Sequence, residues 1–208
     1  GKDGAVFLDW TDPEAFKELA QRRMVASTGE DRPFFELWPM FFESHVDGVE
    51  SFSYILSRTL MRPRDLIRFL RACVNAAVNR GHERVSEADI KFAEEEYSED
   101  QLQDISFELR QVYPSYGELL YVFMGQNAVL GEDRVFDLLR DAGVEEKRLQ
   151  EVIPVLVWFG ILGVIGKDGE ECYAYQFRYG LDRLKHEAAT PRRFVVHPAF
   201  RPALGSAA

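Results

Sequence analysis

One helix near the middle of the chain, with both of its ends marked in the sequence, constrains the fold most. Pro63 suits the first helical position, because its ring sets φ to a helical value and its missing N–H needs no partner there. Gly81 indicates the C-terminal end of the same helix. Apolar side chains recur at helical spacing between these residues, and the predicted buried face is Leu66, Ile67, Leu70, Cys73, Val74 and Ala77. This helix is therefore expected to be a core element.

The opposite face of the predicted helix carries guanidinium groups, those of Arg64, Arg68 and Arg71. Residues 58–84 contain seven arginines and two acids, whereas residues 87–108 contain nine acids and one lysine. Two interpretations stay open: the arginines and the following acidic helix neutralise each other, or some of the arginines bind an anion. The helix start, with Arg62 and Arg64 beside the first-turn N–H groups, is the candidate anion site.

Composition argues against several classes of protein. The net charge of −10 does not suit a general nucleic-acid coat. No apolar run approaches the roughly 20 residues of a membrane span, and no signal sequence is visible. The two cysteines form no disulfide framework. We therefore expect a cytoplasmic protein without a membrane partner, and the first residue, Gly1, suggests a piece of a longer protein.

The sequence contains no complete active site. The four histidines lie far apart and have no metal-ligand spacing. No nucleophile motif and no phosphate-binding loop occurs anywhere in the chain. We expect no catalytic residue, no metal and no cofactor in this chain, and no enzymatic activity of the chain alone.

The first half is predicted to be a helical bundle. An aromatic run, Phe34–Phe42, forms a short helical turn that either packs into the core or offers a surface to a protein partner, and a loop through Asp47-Gly48 follows. Helix caps are expected at Thr11 (paired with Glu14), Ser86 and Ser98. After the short apolar segment Val6–Trp10, the other predicted helices are Pro13–Ala26, Ser51–Thr59, Glu87–Tyr97 and Glu99–Val112.

The second half has a different pattern. Two β runs, Ile161–Ile165 and Cys172–Tyr179, flank Asp168-Gly169, and Asp-Gly between β runs is a strong hairpin signal. The predicted helices are Tyr116–Met124, Glu132–Asp141, Glu145–Phe159 and, after the hairpin, Leu181–Ala188. Three helices followed by a β-hairpin is the order of a winged helix-turn-helix.

We therefore predict a mainly α protein of the α+β class. Its parts are a lid-like helical bundle over residues 1–112, a winged helix-turn-helix with a β-hairpin wing over residues 115–200, and a tail over residues 201–208.

Charge decides how such a winged helix would be used. The polar side of the third helix and the wing each carry more acids than bases, although a helix and wing that read DNA need several cations. Protein contact is favoured over DNA for this reason. The residues that still qualify as nucleic-acid or partner contacts are Lys147, Arg148 and Lys167, with Arg134, Arg178 and Arg183 as a secondary phosphate-contact face.

The order of these motifs resembles a known family. Arg62-Pro63-Arg64-Asp65 opens an apolar helix, a Ser-capped helix ends at Tyr97-Ser98, and Glu108 and Tyr113-Pro114 precede the winged helix. This order is similar to the C-terminal part of bacterial P-loop ATPases related to the STAND and origin-recognition branches of the AAA+ class. Leu8-Asp9-Trp10 resembles the segment that leaves the last strand of the ATPase core.

The resemblance implies that residues 1–100 are a helical lid over a nucleotide and that an upstream ATPase core is a partner. Arg62 or Arg64 would occupy the sensor-2 position near the γ-phosphate and support phosphoryl transfer through its charge. ATP and Mg²⁺ would be cofactors of the parent protein only, because Walker A, Walker B and sensor 1 are absent from this chain.

Two functional hypotheses follow. The first is a non-catalytic regulatory fragment of a P-loop ATPase, whose lid arginine contacts nucleotide in the intact protein and whose winged helix engages protein or, weakly, DNA. The second is a stand-alone winged-helix transcriptional regulator, which requires salt-dependent binding to duplex DNA.

Overall fold

The computed structural model describes residues 11–206, and the chain divides into two compact units, unit 1 (residues 1–90) and unit 2 (residues 91–208). The segment Val6–Trp10, including its likeness to the end of an ATPase core, lies outside the described residues. The fold is mainly α with small antiparallel sheets, which confirms the predicted α+β class. The predicted domain boundary between residues 112 and 115 stays a prediction.

Unit 1 is helical apart from one hairpin. Its elements are α1 (Pro13–Thr28), α2 (Phe34–Phe41), β1 (His45–Val46), β2 (Val49–Glu50), α3 (Ser51–Ser57), α4 (Pro63–Asn79) and the first residues of α5 (Glu87–Val112). The predicted Thr11 cap is wrong, because Asp12 is the N-cap of α1 and its carboxylate accepts the Glu14 N–H at 2.9 Å.

The predicted loop at Asp47-Gly48 is a two-residue hairpin turn between β1 and β2. Both residues have positive φ, 48° and 78°, which is the type I′ geometry that Asp-Gly favours. The chain enters α3 directly after the hairpin, where the Glu50 carboxylate accepts the Ser53 N–H at 2.7 Å. The turn therefore sets the start of α3.

Most of the aromatic run packs inside unit 1. The Trp38 ring stacks on Phe42 with centroids 4.1 Å apart and meets Phe52 edge-on at 5.2 Å. Its indole N–H donates to Ser51 Oγ at 2.9 Å, so the buried polar atom is satisfied. Phe35, by contrast, is 74% exposed. The core interpretation holds for the centre of the run, while a partner role for its exposed residues stays a prediction.

The buried face of α4 is rotated relative to the predicted one. The buried residues are Asp65, Leu66, Phe69, Cys73, Ala76 and Ala77. Val74, which was expected to be buried, is 43% exposed. The larger Phe69 ring removes more apolar area from water than Val74 can, so the helix turns its Phe69 side inward.

Helix α5 is one continuous helix, and the predicted break at Ser98 is wrong. Ser98 is buried, and its Oγ accepts the backbone N–H of Ala203 at 3.0 Å instead of capping a new helix. A serine whose hydroxyl finds a tertiary partner no longer competes for the local backbone, so the helix continues.

Unit 2 combines short helices with a four-stranded sheet. After α5, its elements are β3 (Val129–Gly131), α6 (Glu132–Asp141), α7 (Leu149–Trp158), β4 (Leu162–Ile165), β5 (Glu171–Cys172), α8 (Leu181–Glu187), β6 (Arg193–Val196) and α9 (Arg201–Leu204). The strand order is β3-β6-β4-β5, and every neighbouring pair is antiparallel. Strand β6 arrives last but lies inside the sheet, where Phe194 is opposite both Leu130 and Val164.

The predicted hairpin around Asp168-Gly169 is confirmed, with Val164 opposite Cys172. Its second strand is shorter than expected, because the chain turns into a 3-10 helix at Ala174–Phe177. The side-chain oxygen of Gln176 accepts the Tyr173 N–H at 2.5 Å. This N–H is therefore not available for the hydrogen bond that would extend the pairing of β4 and β5. The aromatic alternation over Cys172–Tyr179 is therefore not a strand pattern.

Two other predicted helices differ in detail. The stretch Tyr116–Met124 consists of short 3-10 turns at Pro114–Tyr116 and Leu119–Phe123. The predicted helix Glu145–Phe159 is a 3-10 turn at Glu146–Arg148 followed by α7. Among residues 11–206, no helix is both long enough and apolar enough to cross a membrane.

Candidate functional site

The start of α4 holds the two arginines that the resemblance places near a nucleotide. Arg62 is the N-cap residue, and its carbonyl accepts the N–H groups of Asp65 and Leu66 at 3.0 and 3.3 Å. The Arg64 side chain is 55% exposed, and its Nε lies 3.5 Å from Oδ1 of the buried Asp65. Both cations thus belong to one helix start, as expected, while their contact with a nucleotide stays a prediction.

A second charged cluster joins the end of α4 to the start of α5. Asp89 is fully buried, and its Oδ2 accepts the Ser86 N–H, the Ser86 hydroxyl and His82 Nδ1 at 2.9, 2.7 and 2.8 Å. Arg80 Nη1 donates to Oδ1 at 3.2 Å. The Asp89 N–H in turn donates to Ser86 Oγ at 3.2 Å, so the predicted Ser86 cap is confirmed.

This cluster controls the charge of Asp89. Burial raises the pKa of the carboxyl group, but the hydrogen bonds from Ser86, His82 and Arg80 outweigh burial and hold the pKa at about 2. Both oxygens of the carboxylate accept hydrogen bonds, and these bonds connect the end of α4 to the start of α5. We therefore assign it a structural role in unit 1.

The candidate cations of unit 2 do not form one surface on α7. They are Arg134 on α6, Lys147 and Arg148 in the turn before α7, Lys167 in the β4–β5 turn, Arg178 after the 3-10 helix, and Arg183 on α8. Lys147 pairs with Glu145 at 2.8 Å, and Arg148 lies 5.1 Å above the Tyr116 ring. Arg134 donates to Gln126 Oε1 at 2.9 Å. Lys147, Arg148 and Arg134 are thus engaged by their own neighbours.

The solvent-facing side of α7 carries apolar residues together with Gln150 and Glu151, and it carries no cation. The only charged residue in the helix is Glu151. Trp158 is 47% exposed, and Pro154 and Val155 are half-buried. A helix that reads a DNA groove presents cations on its solvent-facing side. Helix α7 has no cation and one acid, so its charge does not suit DNA.

Two adjoining cavities open along this side of α7, and both are bounded by Pro154 and Leu181. The first has a volume of about 250 Å³, a floor that includes Ile153 and Phe194, and a rim that carries polar side chains. The second has a volume of about 350 Å³, and every residue around it is apolar or aromatic. We refer to the two cavities together as the α7 groove. Its rim and walls include Val112, Tyr113, Gln150, Trp158, Leu184, Lys185 and Arg192.

Local packing holds the aromatic walls of the groove in place. Tyr113 stacks on Tyr116 with ring centroids 5.6 Å apart. Trp158 lies 4.9 Å from the ring of Tyr179, a residue held at a positive φ of 60°. The α8 wall begins directly after Gly180, which places Leu181 against Pro154. The groove is thus built from four separate stretches of unit 2, residues 112–113, 150–164, 181–185 and 192–194.

Sequence reasoning missed the α7 groove because no single pattern encodes it. The sequence predicted a helix over Glu145–Phe159, and only the charges on its polar side were considered as a contact surface. One signal was present: Pro154, Val155 and Trp158 lie three to four residues apart and share one stripe of the helix with Glu151. A stripe in which apolar residues outnumber charged ones, on a helix whose other face is buried, is typical of a binding surface.

An interior polar network of unit 2 includes a histidine. Ala199 N–H donates to His197 Nδ1 at 3.1 Å, so in the neutral ring Nε2 carries the proton and donates to Tyr175 Oη at 3.0 Å. Glu171 accepts from Tyr173 Oη and from Arg201 Nη2, each at 2.6 Å. Burial raises the pKa of both tyrosines, with the Glu171 charge adding to it. All these groups are partnered, which indicates a structural network.

Within residues 11–206, no group of three or more His, Cys, Asp or Glu side chains is arranged to hold a metal ion.

Comparison with known proteins finds a family model that matches part of the chain and two curated relatives. Residues 14–106, from α1 into α5, match the family model of the FunZ-associated C-terminal helical domain. The chain is 22% identical over 213 residues to the transposon gamma-delta 80.3 kDa protein of Escherichia coli (strain K12), an alignment that covers 93% of this chain and 29% of that protein. It is 26% identical over 108 residues to Allergen Alt a 2 of Alternaria alternata, covering 52% of this chain and 57% of that protein.

The chain therefore spans less than a third of the first relative and little more than half of the second. No solved structure matches it.

Proposed function

We propose that this chain is a non-catalytic module of a larger protein and that unit 2 binds a protein partner. The observation that carries the proposal is the mainly apolar α7 groove with the exposed Trp158 in its wall. Exposed apolar grooves on small domains mark interaction sites, because burying them on a partner removes apolar area from water. The similarity of residues 14–106 to a domain described as C-terminal and helical supports the role of one part among others.

The topology of unit 2 supports a winged-helix origin. Strand β6 lies between β3 and β4, and the two helices α6 and α7 connect β3 to β4. This is the strand and helix order of a winged helix, with β5 and α8 in the place of a simple wing. In that arrangement α7 occupies the position of the DNA-reading helix. Its lack of cations favours protein over DNA as the partner.

The parent protein in this proposal is a P-loop ATPase, and unit 1 is its lid. The support is the motif order from Arg62-Pro63-Arg64-Asp65 onward and the much greater length of the Escherichia coli relative. The exposed Arg64 guanidinium at the start of α4 suits a phosphate. Arg62 and Arg64 would hold the γ-phosphate of ATP, while the ligands of Mg²⁺ and the chemistry of hydrolysis would come from the core of the parent protein.

The test uses the full-length gene product and this chain side by side. We expect Mg²⁺-dependent ATP hydrolysis by the full-length protein and no measurable ATP binding by this chain in titration calorimetry. Arg62→Ala or Arg64→Ala in the full-length protein should reduce kcat by about 10²-fold, because charge stabilisation of the transition state is lost. Arg71→Ala is the matched control, since Arg71 is an exposed arginine farther along the same helix.

Tight ATP binding by this chain alone would refute the lid assignment, and so would a full-length protein without nucleotide binding. Salt-dependent duplex binding by this chain, abolished when Lys147, Arg148 or Lys167 is reversed in charge, would favour the transcriptional regulator instead.

A further inference from the structure

We infer that the α7 groove binds a peptide segment of another protein that carries large apolar side chains together with carboxylates. This inference rests on the proposed function only in that unit 2 contacts protein. It does not depend on an ATPase parent or on Arg62 and Arg64.

The shape of the groove suits a peptide with two anchor side chains. Its two cavities, of about 250 and 350 Å³, meet at Pro154 and Leu181 without being one round pocket. A small molecule of one ring fills one such cavity, whereas a peptide places one side chain in each. The walls contain Trp158 and Tyr113, residue types that dominate the binding energy of protein interfaces.

The charges that line the groove indicate which side chains the peptide carries between its two apolar anchors. The first cavity is lined by Lys185 and Arg192 and by no carboxylate. Lys185 makes only a loose, exposed ion pair with Asp182 at 3.5 Å, so a competing carboxylate displaces it at little cost. Arg192 binds Glu132 through Nη1 at 2.8 Å, and a guanidinium has five N–H donors in all. A carboxylate beside the apolar anchors therefore finds two cations.

The rest of the chain makes this preference specific. With a net charge of −10, the protein as a whole repels acidic segments. A local pair of cations at an apolar groove is then the place where an acidic partner binds. The second cavity, which no charged residue lines, does not suit the phosphates of a nucleotide or a nucleic acid.

The experiment selects ligands from a random 12-residue peptide library displayed on phage, with the full 208-residue chain immobilised. We expect the selected peptides to be rich in Trp, Phe and Leu and in Asp and Glu. The dissociation constant of a fluorescein-labelled selected peptide is then measured by anisotropy. Binding should also shift the Trp158 emission to the blue as the indole leaves water, and Trp158→Phe should abolish that shift.

Matched variants locate the site. Trp158→Ala should weaken binding about 30-fold, as expected for an aromatic hot spot, and Lys185→Glu about 10-fold. The controls are Met124→Ala, which removes a comparably exposed apolar side chain of unit 2, and Arg22→Glu, which reverses an exposed cation of unit 1. Each control should leave the dissociation constant unchanged within about twofold.

Three outcomes would overturn the inference. One is a selection that yields no peptides, another is a set of basic or uncharged peptides, and the third is binding that Trp158→Ala and Lys185→Glu leave intact. Because no nucleotide enters the experiment, a failure here leaves the ATPase test untouched, and a failed ATPase test leaves this result standing.

Discussion

Two regions depart from the apolar-inside, polar-outside pattern in opposite directions, the α4–α5 region of unit 1 and the α7 region of unit 2. Unit 1 buries charge: Asp65 and Asp89 are both 0% exposed. Unit 2 exposes apolar surface on α7, where Trp158 stands at the edge of a groove. Burying a carboxylate costs desolvation free energy, which hydrogen bonds and ion pairs within the unit must offset. An exposed indole, by contrast, can still be buried against another molecule. The difference teaches that the buried carboxylate of Asp89 serves the structure of unit 1, whereas the exposed apolar surface beside α7 is not needed for the core of unit 2.

The largest expected effect is a difference in the free energy of unfolding between a variant in the floor of the α7 groove and a variant in its wall. Phe194 on the central strand β6 is 2% exposed, so Phe194→Ala should lower the free energy of unfolding by about 4 kcal/mol through lost burial and a cavity. Trp158→Ala should lower it by less, about 1 to 2 kcal/mol, because about half of this residue's surface already contacts water. Urea unfolding followed by circular dichroism measures both. Equal losses would mean that Trp158 serves the core, and the comparison between the units would then fail.

The next effect concerns the buried charge of unit 1. Asp89→Ala should destabilise the protein by about 3 kcal/mol, because it leaves Ser86, His82 and Arg80 without their shared acceptor. Asp182→Ala is the control, since the Asp182 side chain is fully exposed and its pairing with Lys185 is loose. We expect the control to change the free energy of unfolding by no more than about 0.5 kcal/mol. An Asp89→Ala variant as stable as the control would contradict the conclusion that this cluster stabilises unit 1.

The smallest effect is a dependence on pH. The pKa of Asp89 is about 2 in the folded protein and near its ordinary value of 3.8 when unfolded. Its contribution is therefore fully present above about pH 4, and protonation removes it as the pH falls toward 2. We expect about 2 kcal/mol to be lost over this window in the parent chain but not in Asp89→Asn. The difference between the two unfolding free energies, measured at pH 6 and at pH 2.5, should shrink accordingly, and a constant difference would argue that Asp89 has an ordinary pKa.

Local signals in the sequence predicted much of the fold. Pro63 begins α4, Ser86 caps α5, and Asp168-Gly169 lies between β4 and β5, all as expected. Each of these features depends on interactions within a few residues, so a local pattern suffices to recognise it. The predictions failed where a distant partner decided the outcome. Ser98 did not break α5 because Ala203 supplies its hydrogen bond.

The candidate site was predictable only in part. Arg62 and Arg64 were recognised because a helix start and its cations are adjacent in sequence. The α7 groove was not, since Tyr113, Pro154 and Leu181 come from separate stretches that only the folded unit brings together. The strand predicted over Cys172–Tyr179 was too long for a similar reason, because the Gln176 side chain accepts the Tyr173 N–H and strand pairing stops there.

The sequence by itself determined where α4 and α5 begin, where the hairpin turns and that α7 lacks cations, because propensity, capping and charge are properties of neighbouring residues. Only the tertiary structure decided that β6 enters between β3 and β4 and that Gly163 must be glycine. A Cβ at Gly163 would lie 2.6 Å from the Tyr173 ring, which packs directly on the strand. Tertiary structure also decided which side of α7 faces water. Burial depends on all the elements that compete for the core, and no single stretch of sequence records the result.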